Sequence, residues 1–300
     1  MKRKYISEKY LGIAFSIPAL VYMIVFIGLP TFQNFILSFK NIDVYTFADK
    51  TQQSFVGFKN YIDLFSGGNS ILQLSMVNTL TFTVFSILFQ FIIGFALALL
   101  FNRHFTGSAF FRGATMISWV LPVTVVGLLF KFMFQVKGGI INQFLLTIGF
   151  IQEPVEWLLQ AKSAMAAIIT ANIWIGIPFN MMLITTGLTT IPEEIYESAK
   201  LDGAGKVVTL FRITIPMIKP AIMSVLTLGF IYTFKVFDLA WVMTKGGPVN
   251  ATELMSTFAY RLSFEEFQFS KAATAANVLF MILFVVGIFY IKTIDESEEM

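Results

Sequence analysis

Three ionisable side chains fall inside long apolar runs of this sequence: Lys131, Lys235 and Asp238. Charge in a hydrocarbon environment is costly, and such positions are functional candidates by default. Lys131 lies near the outer end of its run, where its aliphatic stem can carry the ammonium to the interface. Lys235 and Asp238 are three residues apart, a spacing that lets them pair on one helix face. Two readings of that pair stay open: self-neutralisation near the outer interface, or a place in a polar substrate path. A proton relay is not expected, because a carboxylate neutralised by a lysine is a poor carrier.

Uncharged polar residues give a second signal. The stretch ITANIWIGIPFN sets Asn172 and Gly176 one helical turn apart, and Pro178 follows. Gly229 and Thr233 are again one turn apart, and Asn277 stands alone in a later apolar run. One reading is helix–helix packing, where small residues let backbones approach closely. The other is a sugar path, in which amides serve hydroxyl groups while Trp174, Tyr232 and neighbouring Phe rings stack on the apolar sugar faces.

Catalytic chemistry finds no support. No Cys is present, which removes disulfides, thiolate metal sites and Cys nucleophiles. His104 is the sole histidine and reads as a loop residue, so a multi-His metal site is ruled out. There is no HExxH, no GxSxG and no phosphate-binding GxxxxGK[ST]. The nearest string to the last, Gly203-Ala204-Gly205-Lys206-Val207, lacks the leading Gly and the final Ser/Thr.

The elements that must position these residues are membrane helices. Of 300 residues, 56% are hydrophobic, 13% charged and 35 are Phe, and the mean hydropathy is +0.76. Soluble domains carry about 25% charged residues, so this chain lacks the charge to coat a water-facing surface. A soluble enzyme, a disordered chain and a nucleic-acid binder are excluded. A spanning helix needs about 20 apolar residues, and six stretches qualify: 11–37, 80–101, 114–136, 164–188, 221–243 and 272–291. The first follows the basic MKRKYISEKY but runs on without a cleavage site, as a signal anchor does. Lys and Arg are about twice as dense in 1–10, 102–113, 189–220 and 292–300 as in 38–79, 137–163 and 244–271, which puts both termini in the cytoplasm. No repeat or polar linker divides the chain, so residues 1–300 read as one all-α transmembrane domain.

The cytoplasmic segment 189–220 carries its own structure. Pro192, Glu193 and Glu194 suit a helix start, and Gly203 suits a stop just past its end. Ile195 and Ala199 lie four apart on one face. A second helical stretch runs over 206–213, before Pro216 opens the next span. Two short helices joined at a glycine form a docking element over residues 193–216.

This segment resembles the E-A-A-x3-G-x9-I-x-L-P signature of membrane subunits of binding-protein-dependent ABC importers. Here it runs Glu197-Ser198-Ala199, then Gly203, then Ile213-Thr214-Ile215-Pro216, with Ser198 and Ile215 as mild departures. The resemblance extends to FVGFKNYIDLF at 55–65, NTLTFTVFSILFQFIIGFALALLFNR at 78–103, NIWIGIPFNMMLITTGLTTIP at 172–192 and Thr244-Lys245-Gly246-Gly247-Pro248. Together these are similar to carbohydrate permeases of the maltose and glycerol-phosphate type. Phe269-Ser270-Lys271 departs from the family's usual G-Y-A-x-A entry to the last span.

The resemblance implies a six-span type I importer permease in a bacterial or archaeal cell membrane, bathed in lipid and paired with a second, different permease chain. It implies an extracytoplasmic sugar-binding protein and two cytoplasmic ATPase subunits, which bind the ATP and Mg; this chain would hold no cofactor or metal. Glu197, Ala199, Gly203, Ile213 and Pro216 would seat the ATPase. Asn172 and Gly176, with Gly229 and Thr233 opposite, would line the sugar path. Glycerol phosphate or another polar solute is the alternative cargo. A secondary transporter is the competing class, but it would be expected to show paired broken helices in repeated halves.

Overall fold

The computed structural model describes residues 8–66, 71–103 and 105–298; His104 lies outside them. Among the described residues every regular element is helical, apart from an isolated bridge between Lys40 and Phe55. In chain order the α-helices are α1 (Glu8–Met23), α2 (Leu29–Ser38), α3 (Lys59–Ser66), α4 (Ile71–Phe101), α5 (Ser108–Val120), α6 (Val123–Met133), α7 (Ile140–Thr147) and α8 (Ala161–Thr189). They continue with α9 (Glu193–Leu201), α10 (Lys206–Thr209), α11 (Ile215–Met217), α12 (Lys219–Phe234), α13 (Asp238–Thr244), α14 (Met255–Phe264) and α15 (Phe269–Glu298).

Four of the six expected spans are continuous helices: Gly12–Ser38, Ile71–Phe101, Ala161–Thr189 and Phe269–Lys292. The other two are corrected. The stretch 114–136 is not one rod: α5 and α6 meet at 97°. Leu121 there has ψ 139°, because the residue before a proline is pushed out of the helical region, and Pro122 follows. The stretch 221–243 is also interrupted. Helix α12 ends at Phe234 and α13 begins at Asp238, leaving Lys235 to Phe237 as a break.

The chain packs as two compact units, Met1–Gly68 with Ala259–Val278, and Asn69–Phe258 with Leu279–Met300. In the first, an amide and hydroxyl network holds the helices. Asn34 Nδ2 donates to Asn277 Oδ1 at 2.6 Å, Asn277 Nδ2 reaches Tyr61 Oη at 3.4 Å, and Tyr61 shares a hydrogen bond with Ser38. Asn277 is therefore a packing residue, the first of its two sequence readings.

In the second unit α8 is the hub, flanked by α4, α5, α6, α12 and α13. Phe82, Phe130, Ile168, Leu239 and Met243 form one buried apolar cluster, and Ala98, Met181, Ile184, Leu188 and Ile218 form another. The two clusters clamp the two ends of the α4–α8 pair and leave its middle for polar groups. Lys131 donates to Val242 O at 3.2 Å, which places its ammonium on the carbonyl end of α13, where the helix dipole favours a cation.

Candidate functional site

The middle of α8 holds a proline, which removes one backbone donor. Asn180 Nδ2 bonds Gly176 O at 2.9 Å beside it. From α4, Gln90 reaches across and donates from Nε2 to Asn172 O at 2.8 Å. Gly176 makes that reach feasible: an added Cβ would fall 2.5 Å from Gln90 Oε1. The α4–α8 contact is thus set by an amide resting where a side chain is missing.

Beside this contact lies a cavity of about 380 Å³. Asn172 and Gly176 line it from α8, Gly229 and Thr233 from α12. All four residues singled out from turn spacing meet there. Gln90, Trp119, Phe179, Tyr232 and Val236 complete most of the wall, and no lining residue is charged. The rings of Phe179 and Tyr232 meet edge to face, with centroids 5.9 Å apart. Asn172 Nδ2 is buried and has no hydrogen-bond partner in the protein. Buried donors are nearly always paired, so this wall carries an amide donor available to an occupant. Amides, the hydroxyl-bearing Tyr232 and Thr233, and aromatic faces together match a neutral polyhydroxylated molecule, whose hydroxyl groups need amides and whose C–H faces need rings.

Two expectations fail here. Trp174 does not join the cavity; it lies against Phe130 at 5.8 Å and lines a separate apolar hollow with Phe101 and Phe111. Residues two apart on a helix point to nearly opposite sides, so Asn172 and Trp174 had to diverge. Lys235 and Asp238 do not share a helix face, since the break separates them. The Lys235 ammonium instead lies 5.2 Å from the centre of the Tyr232 ring, a cation–π contact. Gln90 and Trp119 were missed. For Gln90 the signal was available: an amide in the middle of the apolar run 80–101.

The segment 193–216 also takes a defined shape. Pro192 precedes α9, and Glu193 and Glu194 occupy its first turn. Gly203 has φ +78°; its N–H bonds Lys200 O at 3.1 Å and the next N–H, of Ala204, bonds Ala199 O at 2.9 Å. This crossed pair is the Schellman stop, for which glycine is the preferred residue. Ala199 is buried, whereas Glu197 and Gly203 are exposed. Tyr196 Oη meets Thr214 Oγ1 at 3.3 Å and ties the two short helices together.

The second helical stretch is longer than 206–213. It runs through a π turn at Leu210–Thr214 into α11, with Ile213 half-buried and Pro216 exposed. It then bends by 69° into α12. Pro216 therefore lies within this helix, and Lys219–Pro220 open the span. Leu201, 90% exposed, and Val207 and Phe211 leave an apolar surface on the loop.

Among the described residues no group of three His, Asp or Glu side chains could hold a metal ion.

Comparison with known proteins assigns this architecture. The chain is 31% identical to the probable ABC transporter permease protein YurN of Bacillus subtilis, over 98% of this chain and 99% of the relative. It is 33% identical to the trehalose/maltose transport system permease protein MalF of Thermococcus litoralis, over 86% and 85% respectively. It is 30% identical to the multiple sugar-binding transport system permease protein MsmF of Streptococcus mutans, over 99% and 100%. Its fold superposes on a chain of a bacterial ABC transporter that imports the acidic polysaccharide alginate, with a TM-score of 0.80 at 23% identity, covering 97% of this chain and 96% of that one. Residues 90–296 match the model of one family, which contains both the cavity and the segment 193–216, and the chain belongs to that family, the binding-protein-dependent transport system inner membrane components.

Proposed function

We propose that this membrane-embedded chain forms one half of the translocation path of a sugar importer. The observation that carries the reading is the cavity: Asn172 and Gly176 face Gly229 and Thr233 across an uncharged, ring-lined space with a buried unpartnered amide donor. The whole chain, 1–300, acts as a single permease domain with both termini in the cytoplasm. A second, different permease chain supplies the other half of the path, and an extracytoplasmic binding protein delivers the sugar. The relatives named for sugar transport, and a neighbour solved with an alginate pentasaccharide-bound periplasmic protein, support that assignment.

Residues 193–216 dock into a groove of one of the two cytoplasmic ATPase subunits, which bind ATP and Mg, while this chain binds no cofactor. Glu197 and Gly203 contribute from the exposed side of the loop, Leu201 and Phe211 add apolar area, and Ala199, Ile213 and Pro216 hold the shape. In this mechanism the chain does no covalent chemistry. It offers hydrogen bonds and stacking faces to the sugar, while a rigid loop passes the motion of the ATPase to α12 through the bend at Ile218.

The test is uptake of radiolabelled saccharides by cells carrying Asn172→Leu, alongside ATPase activity of the purified complex. Loss of uptake with retained ligand-independent ATPase activity is expected. Uptake at normal affinity and rate would reduce Asn172 to a packing residue.

A further inference from the structure

Helix α8 borders a second space on its opposite face. Asn172, Ile175, Gly176 and Phe179 line the cavity from one side of the helix. At 3.6 residues per turn, Trp174 and Ile177 fall on the other side. There they wall a hollow of about 710 Å³, together with Leu100 and Phe101 from α4 and Phe111 and Ala114 from α5.

The only hydroxyls in this wall, of Thr115 and Ser118, are turned back into α5. Thr115 Oγ1 donates to Phe111 O at 2.9 Å, and Ser118 Oγ donates to Thr115 O at 3.0 Å. Neither hydroxyl proton is left for a sugar, and the hollow suits hydrocarbon.

Its rim is basic. The hollow lies where α4 ends and α5 begins, the two ends joined through segment 102–113. Arg103 stands between the lining residues Phe101 and Phe105, and Arg112 follows the lining residue Phe111. Both arginines are exposed, and 102–113 contains no Asp or Glu. Helix α5 also starts without an acidic residue or a side-chain cap, so its dipole adds to the attraction for an anion.

An apolar hollow below a cationic rim is complementary to an amphiphile with an anionic head. A second membrane helix fits the space poorly: at about 10 Å in width, only about 9 Å of its length would fill 710 Å³. A slender hydrocarbon chain has no such mismatch.

We propose that this hollow seats one acyl chain of an anionic phospholipid, whose phosphate is held by Arg103 and Arg112. Basic pockets between membrane helices on the cytoplasmic side take such head groups. The permease reading places 102–113 on that side, and the inference rests on it for the choice of leaflet. Ser118 lines the hollow while the next residue, Trp119, lines the cavity, so a seated chain braces the α5–α8 wall that the two spaces share.

The experiment titrates the delipidated, assembled transporter in detergent with phosphatidylglycerol and, separately, with phosphatidylcholine of the same chains. Bound lipid is counted by native mass spectrometry. The wild type is expected to bind phosphatidylglycerol about thirtyfold more tightly, the effect of two surface cations on an anionic lipid. The double variant Arg103→Gln, Arg112→Gln is expected to lose that preference. Ala114→Trp, which fills the hollow from α5, is expected to weaken both lipids about tenfold, the loss of about two buried CH₂ groups. An undiminished preference in the double arginine variant overturns the head-group seat, and unchanged binding in Ala114→Trp overturns the hollow. If Ala114→Trp instead separates this chain from its partner permease with the lipid count unchanged, the hollow is a subunit interface and the proposal falls. Cargo and orientation are read by uptake and cysteine labelling in cells, so failure of the permease reading is distinct from failure here.

Discussion

Gly176→Ala provides a quantitative test of how the cavity wall is built. The new methyl group would fall 2.5 Å from Gln90 Oε1, so the Gln90 amide must leave its place. That breaks the 2.8 Å hydrogen bond to Asn172 O and strands an amide on a side chain only 4% exposed. An unsatisfied buried group costs about 1–3 kcal/mol. Replacing glycine by alanine inside a helix recovers about 1 kcal/mol, so the net loss is about 0–2 kcal/mol. In a Gln90→Ala background the obstruction is gone and only the helix gain remains, so the same substitution should stabilise by about 0.5–1 kcal/mol. The coupling between the two positions is then about 2 kcal/mol. Thermal unfolding of the four-member cycle in nanodiscs measures it. Equal effects of Gly176→Ala in both backgrounds would refute the claim that Gly176 is there to admit Gln90.

Three further outcomes follow from other parts of the chain. A Cβ on Gly203 meets no atom within 4 Å, and the only local penalty is its φ of +78°; Gly203→Asp should insert and pair with the partner permease, yet lose the ATPase on co-purification, with Glu197→Lys losing less. Retention of the ATPase together with normal transport would contradict the coupling role of 193–216. In this Cys-free chain, cysteines at the exposed Ser66 and Glu265 should react with an impermeant maleimide in intact cells and one at Asp202 should not; labelling at Asp202 would reverse the orientation. The Asp43 carboxylate is held below its ordinary pKa by the Thr46 and Tyr45 N–H groups and the Thr46 hydroxyl. The turn at 43–46 should therefore keep its amide protection in hydrogen exchange through the ordinary carboxylate range and lose it only at lower pH, as the carboxylate protonates; protection unchanged in Asp43→Ala at neutral pH would show that the carboxylate does not hold the turn.

Much of this was readable in the residues, for reasons that differ by position. The stop at Gly203 was legible because a positive φ at a helix end selects glycine locally, without reference to the rest of the fold. The pairs Asn172–Gly176 and Gly229–Thr233 were legible because one-turn spacing fixes a shared face on any helix. The bend at Leu121–Pro122 was signalled by the proline, but composition alone made 114–136 look like a single span. The separation of Lys235 from Asp238 carried no such sign. No glycine or proline marks that break, and it is held by Ser256, twenty residues further on. The Gln90 amide stood out in its apolar run, but its role was not legible, because that role depends on Gly176 in another helix. Local chemistry was visible from the sequence, and contacts between distant turns were not.

The account centres on one cavity that a sugar must cross, and Gly229 offers the most direct way to ask whether it does. The nearest atom to a Cβ built at Gly229 is Ile87 Cγ1 at 4.0 Å, so a cysteine fits there without displacing the wall. It would be the sole thiol of the chain. In the assembled transporter, the rate at which a small maleimide labels Gly229→Cys is measured with and without the transported saccharide, and uptake is followed after labelling. The account predicts that saccharide slows the labelling and that the modified transporter no longer takes up sugar. A labelling rate indifferent to saccharide, with uptake undiminished after modification, would contradict it.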